Sequence, residues 1–170
     1  MDTNSYQDRK YLSIVSDILD HEEFNKIRDV VHHGMNRYDH CVRVSYYSYK
    51  IAKFLHLNKE ETARGALLHD FFLEDNEESN KKERLETLMS HPKKALDNAL
   101  QHFDLTSLEQ DIIVTHMFPV APTRVPKYLE SWLVDLVDDV VSVFEKGFVV
   151  RRQLSAAASF LLFVLVNTVR

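Results

Sequence analysis

Side chains that can bind metal ions are distributed over five predicted helices of this 170-residue chain. They are His40, His69, Asp70, His91, His116 and Asp138. Residues so far apart in the sequence meet only where helices pack together, and helical bundles build cation sites from inward-facing side chains of several helices. We therefore expect a fold that gathers these six side chains into one pocket.

The low content of glycine and proline favours helices over a sheet of hairpins. The chain contains three Gly and four Pro, and apolar residues recur three and four positions apart, as in an amphipathic helix. A chain of this length can bury a core without disulfides. The pattern predicts an all-α, single-domain bundle of about seven helices over residues 1–170, with its core at 35–146.

Net charge, cysteine content and the N-terminus bound the partners and the location of the protein. The formal net charge of −5 lacks the electrostatic footprint of a nucleic-acid surface, so we expect no nucleic-acid partner. Cys41 is the single cysteine, which excludes an intrachain disulfide and favours a reducing compartment. The polar residues 1–10 carry no apolar signal segment. These features predict a cytoplasmic protein.

His40 and Asp70 occupy inward positions of two predicted helices. His40 belongs to a helix over residues 39–56, and it shares a face with Val44, Tyr47, Ile51 and Leu55. Asn58 is predicted to cap the next helix, where Asp70 takes a position at which an apolar residue was due. Gly65, one turn before His69, would let a neighbouring helix or a ligand approach closely.

His91 and His116 extend the apolar stripes of two further helices. Ser90 is predicted to cap the first of them, in which His91 shares a face with Ala95, Ala99 and Phe103. Thr106 and Glu109 form a capping-box pattern at the start of the second. There His116 continues the stripe formed by Leu108 and Ile112.

Asp138 is the inward-leaning member of a group of three aspartates. It has Val134 one turn before it and Val141 after it, whereas Asp139 follows Asp135 on a polar face. Taken singly, a histidine or aspartate of this kind is usually a satisfied core residue. Together the six would each need a buried hydrogen-bond partner without a metal. Imidazole and carboxylate without thiolate suit Fe, Mn, Zn or another divalent ion, and six ligands suit two ions.

The order of these residues resembles the HD superfamily of metal-dependent phosphohydrolases. A histidine, then a His-Asp pair, then an aspartate form its motif, which here runs from about Arg37 to Glu145. Two additional histidines, His91 and His116, resemble the extra histidines found in its dinuclear branch. The resemblance implies a helical bundle and a small phosphorylated substrate, with a nucleotide as the leading class.

Two groups within that superfamily are similar in detail. Residues 37–40 resemble the Arg-aromatic-x-His opening of bacterial HD-type symmetrical diadenosine tetraphosphate hydrolases, and residues 66–70 resemble their second motif. Leu73 stands where related branches often carry a lysine. The run at 32–53 is also similar to an uncharacterised group of small bacterial HD proteins.

The resemblance implies that Asp70 bridges two cations. His40, His69 and Asp138 would complete one coordination sphere, and His91 and His116 the other. Such a pair lowers the pKa of a shared water towards 7, so that hydroxide attacks a phosphoester or phosphoanhydride. Arg37, one turn before His40, is placed for bidentate contact with a phosphoryl oxygen, although it could equally pair with a carboxylate. Further candidates for substrate contact are His33, Lys93 and Lys94.

The apolar run at 154–166 leaves three interpretations open. It is shorter than the roughly 20 residues that span a bilayer, which favours a closing helix over 148–169 rather than a membrane tail. If exposed instead, it would form the surface of a homodimer. The functional hypotheses are accordingly a dinuclear phosphohydrolase, a non-catalytic HD module that binds a nucleotide or a partner protein, and a membrane-tethered helper.

Overall fold

Helices make up almost all of the regular structure. The computed structural model describes residues 8–32, 35–73, 81–121 and 124–147. Seven α-helices lie within these ranges: α1 Arg9–Leu19, α2 Glu22–Asn25, α3 Arg37–Phe54, α4 Lys59–Leu68, α5 Lys81–His102, α6 Ser107–Thr115 and α7 at 129–147. A 3-10 turn covers Lys26–Asp29, and the two-residue strands β1 Val31–His32 and β2 Met35–Asn36 pair antiparallel. The predicted all-α bundle is confirmed, and this small hairpin is its one addition in the described ranges.

The core consists of two apolar clusters that meet at α4. One cluster joins α1, α3, α4 and α5, with Tyr11, Val15, Leu67 and Ala95 among its fully buried members. The other joins α3, α4, α6 and α7 through Val44, Ala66, Ile112, Val134, Val137 and Val141. Because α4 contributes to both clusters, its C-terminal end lies where the two halves of the bundle meet. Residues 69 and 70 follow directly after that end.

Gly65 allows α4 and α6 to pack closely, as its position in the sequence suggested. A Cβ atom built on Gly65 would lie 3.0 to 3.1 Å from three atoms of the Ile112 side chain. The predicted caps of these helices are also present. Asn58 accepts a hydrogen bond from the Glu61 backbone at the start of α4, and Thr106 and the residue three positions on form the complete capping box of α6.

The prediction of the buried face of α3 is wrong for most of its residues. Tyr47, Ile51 and Leu55 are exposed, whereas the buried face is built from smaller side chains, including Cys41, Ser45, Ser48 and Ala52. Small residues permit the close approach of α4, and Ser45 satisfies its hydroxyl by donating to the Ala63 carbonyl at 2.7 Å. Apolar periodicity therefore selected the wrong side of this helix.

The predicted start of α5 at Ser90 is also wrong. The helix already includes Lys81, and Pro92 lies inside it. A serine two positions before a proline is typical of a helix start, but here the preceding residues are helical as well. Residues 74–80 before this helix lie outside the described residues. His33, the closing helix 148–169 and the run 154–166 also lie outside them. None of the described helices has the length and apolar composition needed to cross a bilayer.

Candidate metal centre

The structure brings all six predicted ligand side chains into one cluster. Asp70 Oδ1 lies 3.4 Å from His91 Nε2 and 3.5 Å from His116 Nε2. Asp138 Oδ1 lies 2.9 Å from His40 Nε2 and 3.7 Å from His69 Nε2. Five helices thus contribute the six side chains of this cluster. The helices α3 and α7 supply one side, α5 and α6 supply the other, and the end of α4 lies between them.

The end of α4 fixes the orientation of His69. The last carbonyl groups of a helix have no partner within the helix, and His69 is the C-cap residue of α4. Its Nδ1–H donates to the Ala66 carbonyl at 2.7 Å. The Nε2 lone pair consequently points into the cluster, which is the form of imidazole that binds metal.

His116 repeats this arrangement at the end of α6. It is the C-cap residue of that helix, and its Nδ1–H donates to the Ile113 carbonyl at 2.8 Å. Its Nε2 lies 3.0 Å from His91 Nε2. Two imidazole nitrogens from different helices therefore face the same point beside Asp70.

His91 is held by aromatic packing. Its ring stacks on Phe72 with a centroid distance of 5.1 Å and an interplanar angle of 27°. The guanidinium of Arg37 lies over the same Phe72 ring, 3.7 Å from its centroid, and donates to the Phe72 carbonyl. Arg37 is 3 % exposed. The structure thus shows Arg37 supporting the wall behind His91, while its contact with a substrate phosphoryl group stays a prediction.

His40 lies between two carboxylates of α7. Its Nε2 faces Asp138, and its Nδ1 lies 2.9 Å from Glu145 Oε2. The other oxygen of Glu145 pairs with Arg43. Asp138 is 8 % exposed and Asp139 is exposed, as the valine pattern predicted. Glu145 and Arg43 were not identified from the sequence. Residues seven positions apart share a helix face, and this spacing from Asp138 could have indicated Glu145.

Burial and the carboxylates separate the pKa values of the cluster. Burial lowers the pKa of His91 to about 4 and also lowers the pKa of His69. Burial acts the same way on His40, but hydrogen bonds to Asp138 and Glu145 outweigh it and raise the pKa to about 10. For Asp70, burial alone would raise the pKa, yet the surrounding histidines hold it well below its usual range. The cluster therefore contains an ionised carboxylate at its centre.

Buried atoms at the centre of the cluster lack hydrogen-bond partners. Among the described residues these are His69 Nε2, Asp70 Oδ1 and Asp138 Oδ1, the last of which lies 2.9 Å from His40 Nε2. A buried acceptor without a donor costs roughly 1 to 3 kcal/mol, and bound cations would satisfy these atoms. Two triads with donor atoms within 4.8 Å of one another could hold an ion: His40, His69 and Asp138, and His69, Asp70 and His116. These residues fit divalent cations.

Comparison with known proteins assigns the family. The sequence matches the HD domain over residues 37–141, which is more than half of the chain. The chain belongs to the HD domain family. Proteins of this family bind divalent metals and are mostly metal-dependent hydrolases. The curated proteins and the solved structures that were compared with the chain gave no match.

The remaining predicted contact residues of this HD protein lie on or before α5. Lys93 is exposed and pairs with Asp97 one turn later. Lys94 is half-buried on the same helix. His33 lies outside the described residues. The contact of these three residues with substrate stays a prediction.

Proposed function

We propose that this HD protein is a metal-dependent phosphohydrolase that cleaves a phosphoester or phosphoanhydride bond of a nucleotide or another small phosphorylated molecule. The observation that carries the proposal is the pair of unpartnered buried atoms, His69 Nε2 and Asp70 Oδ1, inside a cluster of imidazoles and carboxylates. Most buried polar atoms of a purely structural cluster have hydrogen-bond donors of their own. The family, whose members are mostly metal-dependent hydrolases, supports the same reaction class.

Two divalent ions are proposed, with Asp70 shared between them. His40, His69 and Asp138 would hold one ion, and His91 and His116 would hold the other. The Nε2 atoms of His91 and His116 lie 3.0 Å apart and 3.4 and 3.5 Å from Asp70 Oδ1, which supports this assignment because one ion beside Asp70 would be within reach of both imidazoles. Iron and manganese are the first candidates, since imidazole and carboxylate ligands suit both.

When bound, such cations acidify a coordinated water and offset the charge of phosphoryl oxygens. The residues of the chain provide binding and orientation. The backbone carbonyls of Ala66 and Ile113 fix the tautomers of His69 and His116. The ring of Phe72 packs against His91 and covers that side of the cluster. Arg37, His33, Lys93 and Lys94 are the proposed contacts for the phosphorylated substrate, in a cytoplasmic setting.

The decisive experiment measures metal content and turnover in one protein series. Elemental analysis of the purified protein is paired with hydrolysis of mono-, di- and cyclic nucleotide phosphates and of dinucleoside polyphosphates. Asp138→Asn should lose one ion and fall to background turnover. Asp139→Asn is the control, because Asp139 is exposed, and it should keep the metal content and the turnover of the wild type. Absence of stoichiometric metal and of metal-dependent turnover would refute the proposal. Metal without turnover, together with thermal stabilisation by a nucleotide, would instead support a non-catalytic binding module.

A further inference from the structure

Glu145 is a largely buried carboxylate beside the proposed metal site. Its side chain is 14 % exposed, and its Oε2 lies 2.9 Å from His40 Nδ1. Its Oε1 pairs with Arg43, which lies on α3 one turn after His40. The match to the HD domain ends at residue 141, so Glu145 lies beyond it. This carboxylate is therefore a feature of the chain that the family assignment does not explain.

The other histidines of the cluster show what His40 lacks. His69 and His116 each follow a helix end, where an unpaired backbone carbonyl three residues earlier accepts their Nδ1–H. His40 instead lies in the first turn of α3, where the carbonyl three residues earlier is engaged by the helix. Its Nδ1–H needs an acceptor from another element. Glu145 of α7 is at hydrogen-bond distance from that nitrogen.

We propose that Glu145, held by Arg43, is a positioning residue that fixes His40 as a metal ligand. By accepting the Nδ1–H of His40, it leaves Nε2 as the ring nitrogen that faces Asp138 and the cluster, and a cation binds this nitrogen in place of its proton. A carboxylate partner also makes the imidazole a more basic ligand than a backbone carbonyl does. The inference rests on the proposed function, since it requires a cation at His40.

The placement of Glu145 on α7 couples it to Asp138. The two carboxylates are separated by two helical turns on one face, and they contact opposite nitrogens of the same imidazole ring. Arg43 holds the second oxygen of Glu145, so the carboxylate has a fixed direction before any ion binds. Substitution of Glu145 or Arg43 should therefore change the affinity for the ion at His40. The affinity for the ion at His91 and His116 should stay unchanged.

Histidine NMR tests this role directly. In the Zn²⁺-loaded, ¹⁵N-labelled protein, the Nδ1–H protons of His40, His69 and His116 should all resist exchange with solvent. Glu145→Ala should abolish the protected His40 signal and leave those of His69 and His116, because their acceptors are backbone carbonyls. Glu145→Gln should keep the His40 signal, since the side-chain amide still offers a carbonyl acceptor.

Calorimetric titration with Zn²⁺ supplies the second measurement. Glu145→Ala should lower the affinity for one of the two ions by about tenfold to a hundredfold. Glu145→Gln should lower the affinity for the same ion by less. Glu130→Gln is the matched control, because Glu130 lies on the same helix and accepts a hydrogen bond from the Asn58 backbone instead. It should bind both ions as the wild type does.

The possible results separate this inference from the proposed function. Wild-type affinity for both ions in Glu145→Ala, with a protected His40 Nδ1–H, would overturn the positioning role alone. Equal weakening of both ions would also overturn it, because Glu145 would then act on the fold as a whole. Zn²⁺ binding by the wild type without turnover on any phosphate would refute the phosphohydrolase and leave this test intact. Failure of the wild type to bind Zn²⁺ would overturn both.

Discussion

The two sides of the metal cluster are built from different chemistry. On the α3–α7 side, His40 lies between the carboxylates of Asp138 and Glu145, each 2.9 Å from a ring nitrogen. On the α5–α6 side, two imidazole nitrogens lie 3.0 Å apart, and His91 packs on the ring of Phe72. The first side concentrates negative charge, whereas the second places two imidazoles beside an aromatic wall.

This difference indicates that the two proposed ions bind with unequal strength. Ligands on the α3–α7 side bring more negative charge, which strengthens the attraction for a divalent cation. The same carboxylates hold a proton on His40, and a cation must displace it. On the α5–α6 side burial lowers the pKa of His91. Burial acts the same way on His116, but its hydrogen bond to Asp70 and the nearby carboxylate charges outweigh it and raise the pKa. Asp70 supplies charge to both sides. The stronger ion is therefore expected on the α3–α7 side at neutral to alkaline pH.

Removal of the shared carboxylate should have the largest effect, because it joins the two sides. Asp70→Ala is expected to lose both ions and all phosphatase activity together. Elemental analysis and a turnover assay on the same preparation measure the two losses. Asp97→Ala is the control, since Asp97 is an exposed aspartate that pairs with Lys93. Full metal content in Asp70→Ala would contradict the bridging role.

Single histidine variants should separate the two sides. His91→Ala is expected to reduce the metal content from two ions to one and to keep the tightly bound ion. His40→Ala is expected to leave one ion as well, but the remaining ion should be the weaker of the two. Competition with a chelator, followed by elemental analysis, distinguishes these results. Identical residual affinities in the two variants would show that the sides are equivalent.

In the metal-stripped protein His40 and His91 should respond to pH in opposite directions. Burial would lower the pKa of His40, but Asp138 and Glu145 outweigh it and raise the value from 6.5 to about 10. Its protonated ring thus stabilises the fold fully below about pH 6.5, and this contribution is lost as the pH rises through about 10. Burial lowers the pKa of His91 from 6.5 to about 4, so its neutral ring stabilises the fold above about pH 6.5, and this is lost as the pH falls towards 4.

Histidine ring NMR on the EDTA-treated protein measures this contrast. The chemical shifts of His40 should stay those of a charged ring up to at least pH 8, and those of His91 should stay those of a neutral ring down to pH 5. Titration of His40 and His91 together near pH 6.5 would remove the electrostatic difference between the sides.

Much of the candidate site could be predicted because its residues interrupt apolar stripes. His91 lies on the same helix face as Ala95 and Ala99, and His116 lies one turn after Ile112. All of these residues are buried. A polar residue at a core position needs a physical reason, and a shared cation is one that applies to six residues at once. The valines around Asp138 likewise distinguished it from Asp139.

Other features could not be read from helical periodicity. The buried side of α3 includes serine, alanine and cysteine as well as Val44 and Tyr49, whereas the large apolar residues Tyr47, Ile51 and Leu55 marked the exposed side instead. Glu145 follows two exposed apolar residues, Val143 and Phe144, near the end of α7, and only the packing of α7 against α3 brings it to His40. Arg37 has the spacing of a substrate ligand, yet its guanidinium rests on Phe72. These contacts depend on which helices become neighbours.

The smallest expected effect concerns the packing that places the α5–α6 side next to α4. In Gly65→Ala the new methyl group would lie 3.0 to 3.1 Å from Ile112, including its Cβ, so α6 must shift rather than a flexible side-chain end. We expect a loss of about 1 kcal/mol in the free energy of unfolding, as for mild overpacking. His116 at the end of α6 should move with the helix and weaken the ion on that side alone.

Gly147→Ala serves as the control for this last change, because a Cβ atom there meets nothing within 4 Å. It should leave both ions unaffected and stabilise α7 by up to about 1 kcal/mol, the gain of alanine over glycine inside a helix. Chemical denaturation and metal titration of the two variants provide the measurements. If Gly65→Ala weakened the ion at His40 instead, α4 would transmit the strain towards α3. The two sides of the cluster would then be mechanically coupled through His69 and Asp70, and their different chemistry would no longer imply independent behaviour.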